Sequence, residues 1–281
     1  MAIGHLSYLA IIAERPEALA DFYHTHFGLT ELGRSAAGDI SMTDGYFNLT
    51  FLKRRPGLGE ADDSKGLHHF GLSIDDIREI EARLEDFAPG VEILPESGDL
   101  HHGEYRVHDP NGYAVSLSTR HFGVTPRPRG LPSIRHIALS VPNREEVTRF
   151  YADVFGLRET SVSLRRRADN LPARHMGDGN TNLAILPDPD LMREMGEERE
   201  VADQYYALNT KGGVAHFGFV VASVEDVLSR MPPELAGASN ERPGARRDMA
   251  EFRVFDPEWN GIDISQRKGF EVDYDVWVRA E

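Results

Sequence analysis

Three residues in the second half of the chain have the side chains of a divalent-metal site. His136 lies in IRHIALSV, His216 in AHFGFVV and Asp263 in NGIDIS, each a short apolar run of strand length. Side chains alternate across a strand, so such donors converge only if each sits in phase on one face. His136 shares a face with Ile134, Ala138 and Ser140, opposite Ile137, Leu139 and Val141. His216 goes with Gly218 and Val220, opposite Phe217, Phe219 and Val221, and Asp263 goes with Gly261 and Ser265, opposite Ile262 and Ile264. Bulky apolar residues point one way, onto helices, and the donor points the other beside small neighbours that leave room for a ligand. Two imidazoles and a carboxylate make a facial triad with open positions, suited to Fe(II) foremost and also to Mn(II) or Zn(II). A lone half-buried histidine is commonly just a paired polar residue. Three in-phase donors at matching points of a repeat are a different case.

The repeat is visible along the whole chain. IGHLSYLAI matches IRHIALSV, placing His5 over His136, and FYHTHFGLTE matches FYADVFGLRE, placing Tyr23 over Tyr151 and Gly28 over Gly156. HHFGLSIDDI matches AHFGFVVASVEDV, placing His69 over His216, and EYRVHDPNGYAVS matches EFRVFDPEWNGID. Four ordered matches indicate a duplication. Each half divides again, giving βαβββ units near residues 1–55, 66–121, 132–187 and 212–267. Helix starts are expected at Pro16, at Ser73 with Asp76, at Asn143 with Glu146 and at Ser223 with Asp226, and helix ends at Gly28 and Gly156. The expected fold is α+β, a tandem repeat of paired βαβββ modules, each half a curved, partly open mixed-sheet barrel. An N-terminal domain would span 1–125 and a C-terminal, metal-carrying one 126–281, joined through HFGVTPRPRGLPS. In the first half His5 and His69 are expected on the corresponding faces, but Ser116 stands in the third position, so that half is read as lacking metal.

Composition narrows the function. With 31 Lys+Arg against 46 Asp+Glu, the net charge of -15 opposes nucleic-acid and anionic membrane partners. The absence of cysteine excludes disulfides, thiolate zinc sites, Fe–S clusters and a cysteine nucleophile. No apolar stretch reaches the roughly 18 residues of a membrane span, and MAIGHLSYLAII lacks the marks of a signal peptide. A cytoplasmic protein with a small-molecule substrate is expected, assembled as a homo-oligomer.

The repeated FY…FGL helix end, the histidine early in alternate units and the Asp-Pro final hairpin resemble the vicinal oxygen chelate superfamily. The layout is most similar to the two-domain type I extradiol dioxygenases, whose metal-binding half carries His, His and Glu. That resemblance maps the ligands onto His136, His216 and Asp263, the last one methylene shorter than the family's Glu. It leaves Ala184 where glyoxalases have a further ligand. It implies an extradiol-type dioxygenase acting on a catechol-like or other vicinal-oxygen molecule. Alternatives are an isomerase, epimerase or lyase using Mn(II), Zn(II), Ni(II) or Co(II), and a metal-free binding or resistance protein. Three departures stand out, the first being that RPGARRDMAE, where the family carries a histidine several residues upstream of the Tyr position, has none. Arg253 replaces the family's Tyr before Asp-Pro, and the acid–base histidine's position falls near Val201, inside a long insertion over 187–213. His175, Tyr205, Tyr206 and Arg253 are therefore the candidate catalytic residues, although His175 also reads as an exposed turn histidine. Tyr205 and Tyr206 would lie on a helical lid or dimer contact, and Tyr274 and Trp277 on a tail that closes over the pocket or packs on the sheet.

Overall fold

The computed structural model describes residues 2–56, 58, 66–96, 102–125, 130–160, 173–188, 213–239 and 250–266. The insertion with Val201, Tyr205 and Tyr206, the tail with Tyr274 and Trp277, and most of RPGARRDMAE lie outside the described residues.

The first half runs β1 (Gly4–Ala13), α1 (Pro16–Phe27), β2 (Thr30–Arg34), β3 (Ile40–Thr43), β4 (Asn48–Lys53), β5 (Gly66–Ile74), α2 (Ile77–Phe87), β6 (Leu94–Pro95), β7 (Tyr105–His108) and β8 (Ala114–Ser118). The second repeats it with β9 (Ser133–Val141), α3 (Arg144–Phe155), β10 (Arg158–Glu159), β11 (Arg174–Gly177), β12 (Asn182–Pro187), β13 (Gly213–Val220), α4 (Val224–Arg230), β14 (Ala238–Ser239), β15 (Phe252–Phe255) and β16 (Gly261–Ser265). These make two eight-stranded mixed sheets, ordered β2-β3-β4-β1-β5-β8-β7-β6 and β10-β11-β12-β9-β13-β16-β15-β14. The outer strands of each do not pair with one another, so both sheets stay open, and the α+β tandem repeat is the fold.

Local chemistry sets the helix ends. Pro16 opens α1, the Asn143 side chain accepts from Glu146 N at 3.3 Å, and Ser223 Oγ accepts from Asp226 N at 3.1 Å. Gly28 and Gly156 close α1 and α3 with φ of 67° and 69°, a conformation a Cβ would strain. Ser73 differs from expectation. It belongs to β5 and bonds Ser7 at 2.6 Å, while Asp76 caps α2 through Arg78 N at 3.0 Å.

The bulky faces of both sheets turn inward onto one shared core. Tyr23 and Phe27 of α1 stack on Phe219 of β13 in the other half, Phe27 at 4.2 Å, while Tyr151 of α3 meets Phe70 of β5. The halves then exchange reciprocal hydrogen bonds. The Tyr23 hydroxyl donates to Asp256 Oδ2 at 3.0 Å, and its counterpart Tyr151 donates to Asp109 Oδ2 at 3.3 Å. Asp44 Oδ2 accepts from Ile134 N and Asp178 Oδ2 from Leu6 N, both at 2.8 Å, so a turn of each half fixes the first strand of the other. The repeated FY and Asp-Pro motifs are thus partners across the duplication. Tyr23→Phe and Tyr151→Phe should each lower stability by about 1 kcal/mol, the usual net contribution of one buried hydrogen bond. Urea unfolding of each variant checks this, and two unchanged midpoints would contradict a linking role.

Candidate metal centre

Three adjacent strands carry the donors. In β9, β13 and β16 the register sets Gly218 opposite both His136 and Asp263, with His216 opposite Ala138. A glycine therefore sits at the middle of the row formed by the two outer donors, and His216 reaches the same face from two residues earlier. The residues opposite, Ile137, Phe217, Ile262 and Ile264, are fully buried in the core, which holds the donor face outward from it.

The donors converge. Nε2 of His136 and Nε2 of His216 face each other at 3.2 Å, and His216 Nε2 lies 3.5 Å from Asp263 Oδ2. All three ligand atoms fall within 4.8 Å of one another, and among the described residues this is the one such group. Donors held about 2.0–2.2 Å from a common ion stand about 2.8–3.6 Å apart at square to tetrahedral angles, so the 3.2 and 3.5 Å edges fit a divalent metal. The three residues are buried, 5–7% exposed, and their side chains need partners in place of water.

Their surroundings favour ligation. His136 Nδ1 lies 2.9 Å from Asn182 Oδ1, which can only accept, so Nδ1 carries the proton and Nε2 keeps its lone pair. Burial, then Arg253, hold His216 well below the usual histidine range against the pull of Asp263, which keeps the ring neutral. Burial alone would raise Asp263, but Arg253, His216 and His136 bring it down to about 2. The site thus presents a neutral imidazole at His216 and an ionised carboxylate at Asp263, beside His136 oriented by Asn182.

The remaining predicted residues fall as follows. His175 is a correction to the exposed-turn reading, since it is buried on β11, paired with Ala184, with Nδ1 3.4 Å from Asn182 Oδ1. Asn182 therefore stands between His136 and His175. Arg253, on β15 directly opposite Asp263, donates from Nε to Asp263 Oδ1 at 2.5 Å. Ala184 joins Ala138, Ala173 and Leu186 in a small apolar cluster beside the donors.

The first half requires a further correction. Asn48 pairs with Tyr8 as Asn182 pairs with His136, and Gly71 pairs with Tyr8 as Gly218 pairs with His136. Tyr8, not His5, therefore occupies the place of His136. His5 points instead to Asp178, 3.8 Å away. His69 and Ser116 hold the other two positions, and the concavity is filled. Phe122 stacks on Tyr8 at 4.5 Å, and a Cβ on Gly71 would meet its ring at 2.7 Å. Ser116 Oγ donates to Glu96 Oε2 at 2.7 Å, and Glu96 pairs with Arg106.

Asn182 escaped the sequence reading, although NLAIL repeats the NLTFL that begins at Asn48. An asparagine recurring at the head of two otherwise apolar strands was the available signal.

The family model of the Glyoxalase/Bleomycin resistance protein/Dioxygenase superfamily matches residues 3–117 and 133–262. The chain belongs to that superfamily. Its fold is similar to the Mn(II)-bound glyoxalase from Novosphingobium aromaticivorans, with 17% identity, coverage of 98% of this chain and 85% of that one, and a TM-score of 0.64. It is similar to the 2,3-dioxygenase LapB from Pseudomonas sp. KL28, with 18% identity, 94% and 92% coverage and a TM-score of 0.62. Homoprotocatechuate 2,3-dioxygenase from Arthrobacter globiformis gives 15% identity, 94% and 79% coverage and a TM-score of 0.60. No curated protein matches the sequence.

Asn182→Ala should weaken Co(II) binding about 10–100-fold, the usual cost of losing a partner that orients a ligand, while Asn182→Asp restores it. Titration of the Co(II) absorption bands measures both, and equal affinities in all three proteins would refute the orienting role.

Proposed function

We propose that the chain is a metal-dependent enzyme acting on a small molecule through two adjacent oxygens, with extradiol cleavage of a catechol-like ring as its leading reaction. The observation that carries this is the buried convergence of His136, His216 and Asp263, the one such group among the described residues, beside a wall of small side chains. A divalent ion there would supply Lewis-acid stabilisation to the chelated oxygens, and Fe(II) would also support reaction with O2.

The chain's own residues have distinct parts in this reading. His136 and His216 through Nε2 and Asp263 through Oδ2 would hold the ion, with Asn182 keeping His136 in the right tautomer. Ala138, Ala173, Ala184 and Leu186 form an apolar surface suited to a flat ring and to exclusion of water. In this reading His175, on the strand next to that surface, would take a proton from a substrate hydroxyl. A first half without metal would fit the layout of two-domain extradiol enzymes, and Phe122 packed on Tyr8 at the matching place supports that reading. Among the described residues no helix is long and apolar enough to cross a membrane, in keeping with a small-molecule substrate. Assembly as a homo-oligomer in the cytoplasm remains part of the proposal.

A second reading, non-oxidative isomerase or lyase chemistry with Mn(II), Zn(II), Ni(II) or Co(II), is favoured by one observation. Arg253 replaces a tyrosine of the dioxygenase pattern and contacts the carboxylate donor directly.

Oxygen uptake by anaerobically purified, Fe(II)-loaded protein on a catechol panel separates these. Ring cleavage predicts O2 consumption with a yellow product, abolished in His216→Ala. Silence with catechols, together with Mn(II)- or Ni(II)-dependent turnover of another vicinal-oxygen compound, would establish the second reading instead. Absence of stoichiometric metal under every condition would contradict both.

A further inference from the structure

The carboxylate donor is not free to give its full charge to a metal. Arg253 lies opposite Asp263 across the β15–β16 ladder, and its Nε donates to Oδ1 at 2.5 Å, leaving Oδ2 toward His216. The pair is buried, its side chains 12% and 10% exposed, so solvent screens it weakly. Gly261 lies beside both groups, a Cβ there making ordinary contact with Arg253 Cδ at 3.7 Å and His216 Cβ at 3.8 Å.

The charge count follows. Two neutral imidazoles and a carboxylate normally offer one negative charge to a divalent ion. Here the guanidinium offsets that charge, so a bound ion is neutralised less by its donors than one held by a carboxylate with no cation beside it, and an anionic ligand makes up the difference. A dianionic chelate restores neutrality and interacts favourably with Arg253 as well.

The first half supplies a comparison within the same molecule. Arg106 holds the register position of Arg253, opposite Ser116, and its guanidinium is met by Glu96 reaching in from next to β6. The arginine–carboxylate pair is thus common to both halves, but only in the second is its carboxylate one of three converging donors.

We propose that Arg253 couples metal retention to substrate, so that the centre holds its ion tightly only with a dianionic ligand bearing two adjacent oxygens. This rests on the metal reading above and assigns the substrate class as one that binds as a dianion.

Mn(II) binding to the full chain, followed by the EPR signal of free Mn(II) and corrected for Mn(II)–oxalate in solution, tests the proposal with oxalate as the dianion. Oxalate should tighten Mn(II) binding about tenfold or more in the wild type, within the usual range of coupling between two ligands. Arg253→Met should bind Mn(II) more tightly without oxalate and lose most of the oxalate effect. Arg253→Gln keeps a donor to Asp263 without the charge and should behave like Arg253→Met, whereas Arg253→Lys should behave like the wild type. Circular dichroism checks folding, and the Gln variant decides if the Met variant is misfolded. An oxalate effect of equal size in wild type, Gln and Lys proteins would overturn the coupling. Loss of Mn(II) binding in His136→Ala alongside that result would leave the metal reading standing. No Mn(II) binding by any form, with or without oxalate, would instead overturn the metal reading and this inference together.

Discussion

The two-residue period of a strand is the constraint on which this molecule depends. Along β9, β13 and β16 alternate residues enter the core, and Ile137, Phe217, Ile262 and Ile264 do so completely, while a register shift turns Ile134 into the core as well, away from the face it was expected to share with His136. Burying each such side chain stabilises the fold by about 1.5–3 kcal/mol, so a slip of one residue in any of these strands is strongly disfavoured. The same alternation fixes the opposite face. His136, His216 and Asp263 are held at their separations by an apolar core on the far side of the sheet, and a rigid sheet is a better platform for a three-point site than a loop.

Duplication then gives two copies of one scaffold with different contents. Cross-bonds from Tyr23 to Asp256 and from Tyr151 to Asp109 tie the copies together symmetrically. The concave faces have diverged. One is closed by Phe122 stacked on Tyr8 and by Glu96 bonded to Ser116, and the other keeps alanines and a glycine around three donors. The first half packs aromatic rings on this face, and the second carries three converging polar donors beside small apolar side chains.

Much of this was legible in the sequence because the relevant physics is local. Strand phase identified which side of each run the three donors take, and Gly28 and Gly156 marked helix ends through their left-handed backbone. The errors arose where tertiary register decides. His5 drew the alignment because it matches His136 in kind, yet hydrogen-bond register puts Tyr8 there, as the helix match of Tyr23 with Tyr151 already required. His175 resembled a turn residue because RHMGDGN is short and polar, and only pairing with β12 shows it buried beside Asn182. Arg253 was noticed as a departure from a pattern, but its hold on Asp263 depends on two strands lying side by side.

The central claim is that these three side chains together bind one divalent ion. Anomalous diffraction at the metal edge from crystals grown with Mn(II) and a dianionic chelator tests it most directly. The account predicts a single strong peak about 2.0–2.2 Å from His136 Nε2, His216 Nε2 and Asp263 Oδ2. A peak elsewhere, or none at that position in protein that binds stoichiometric Mn(II), would contradict it.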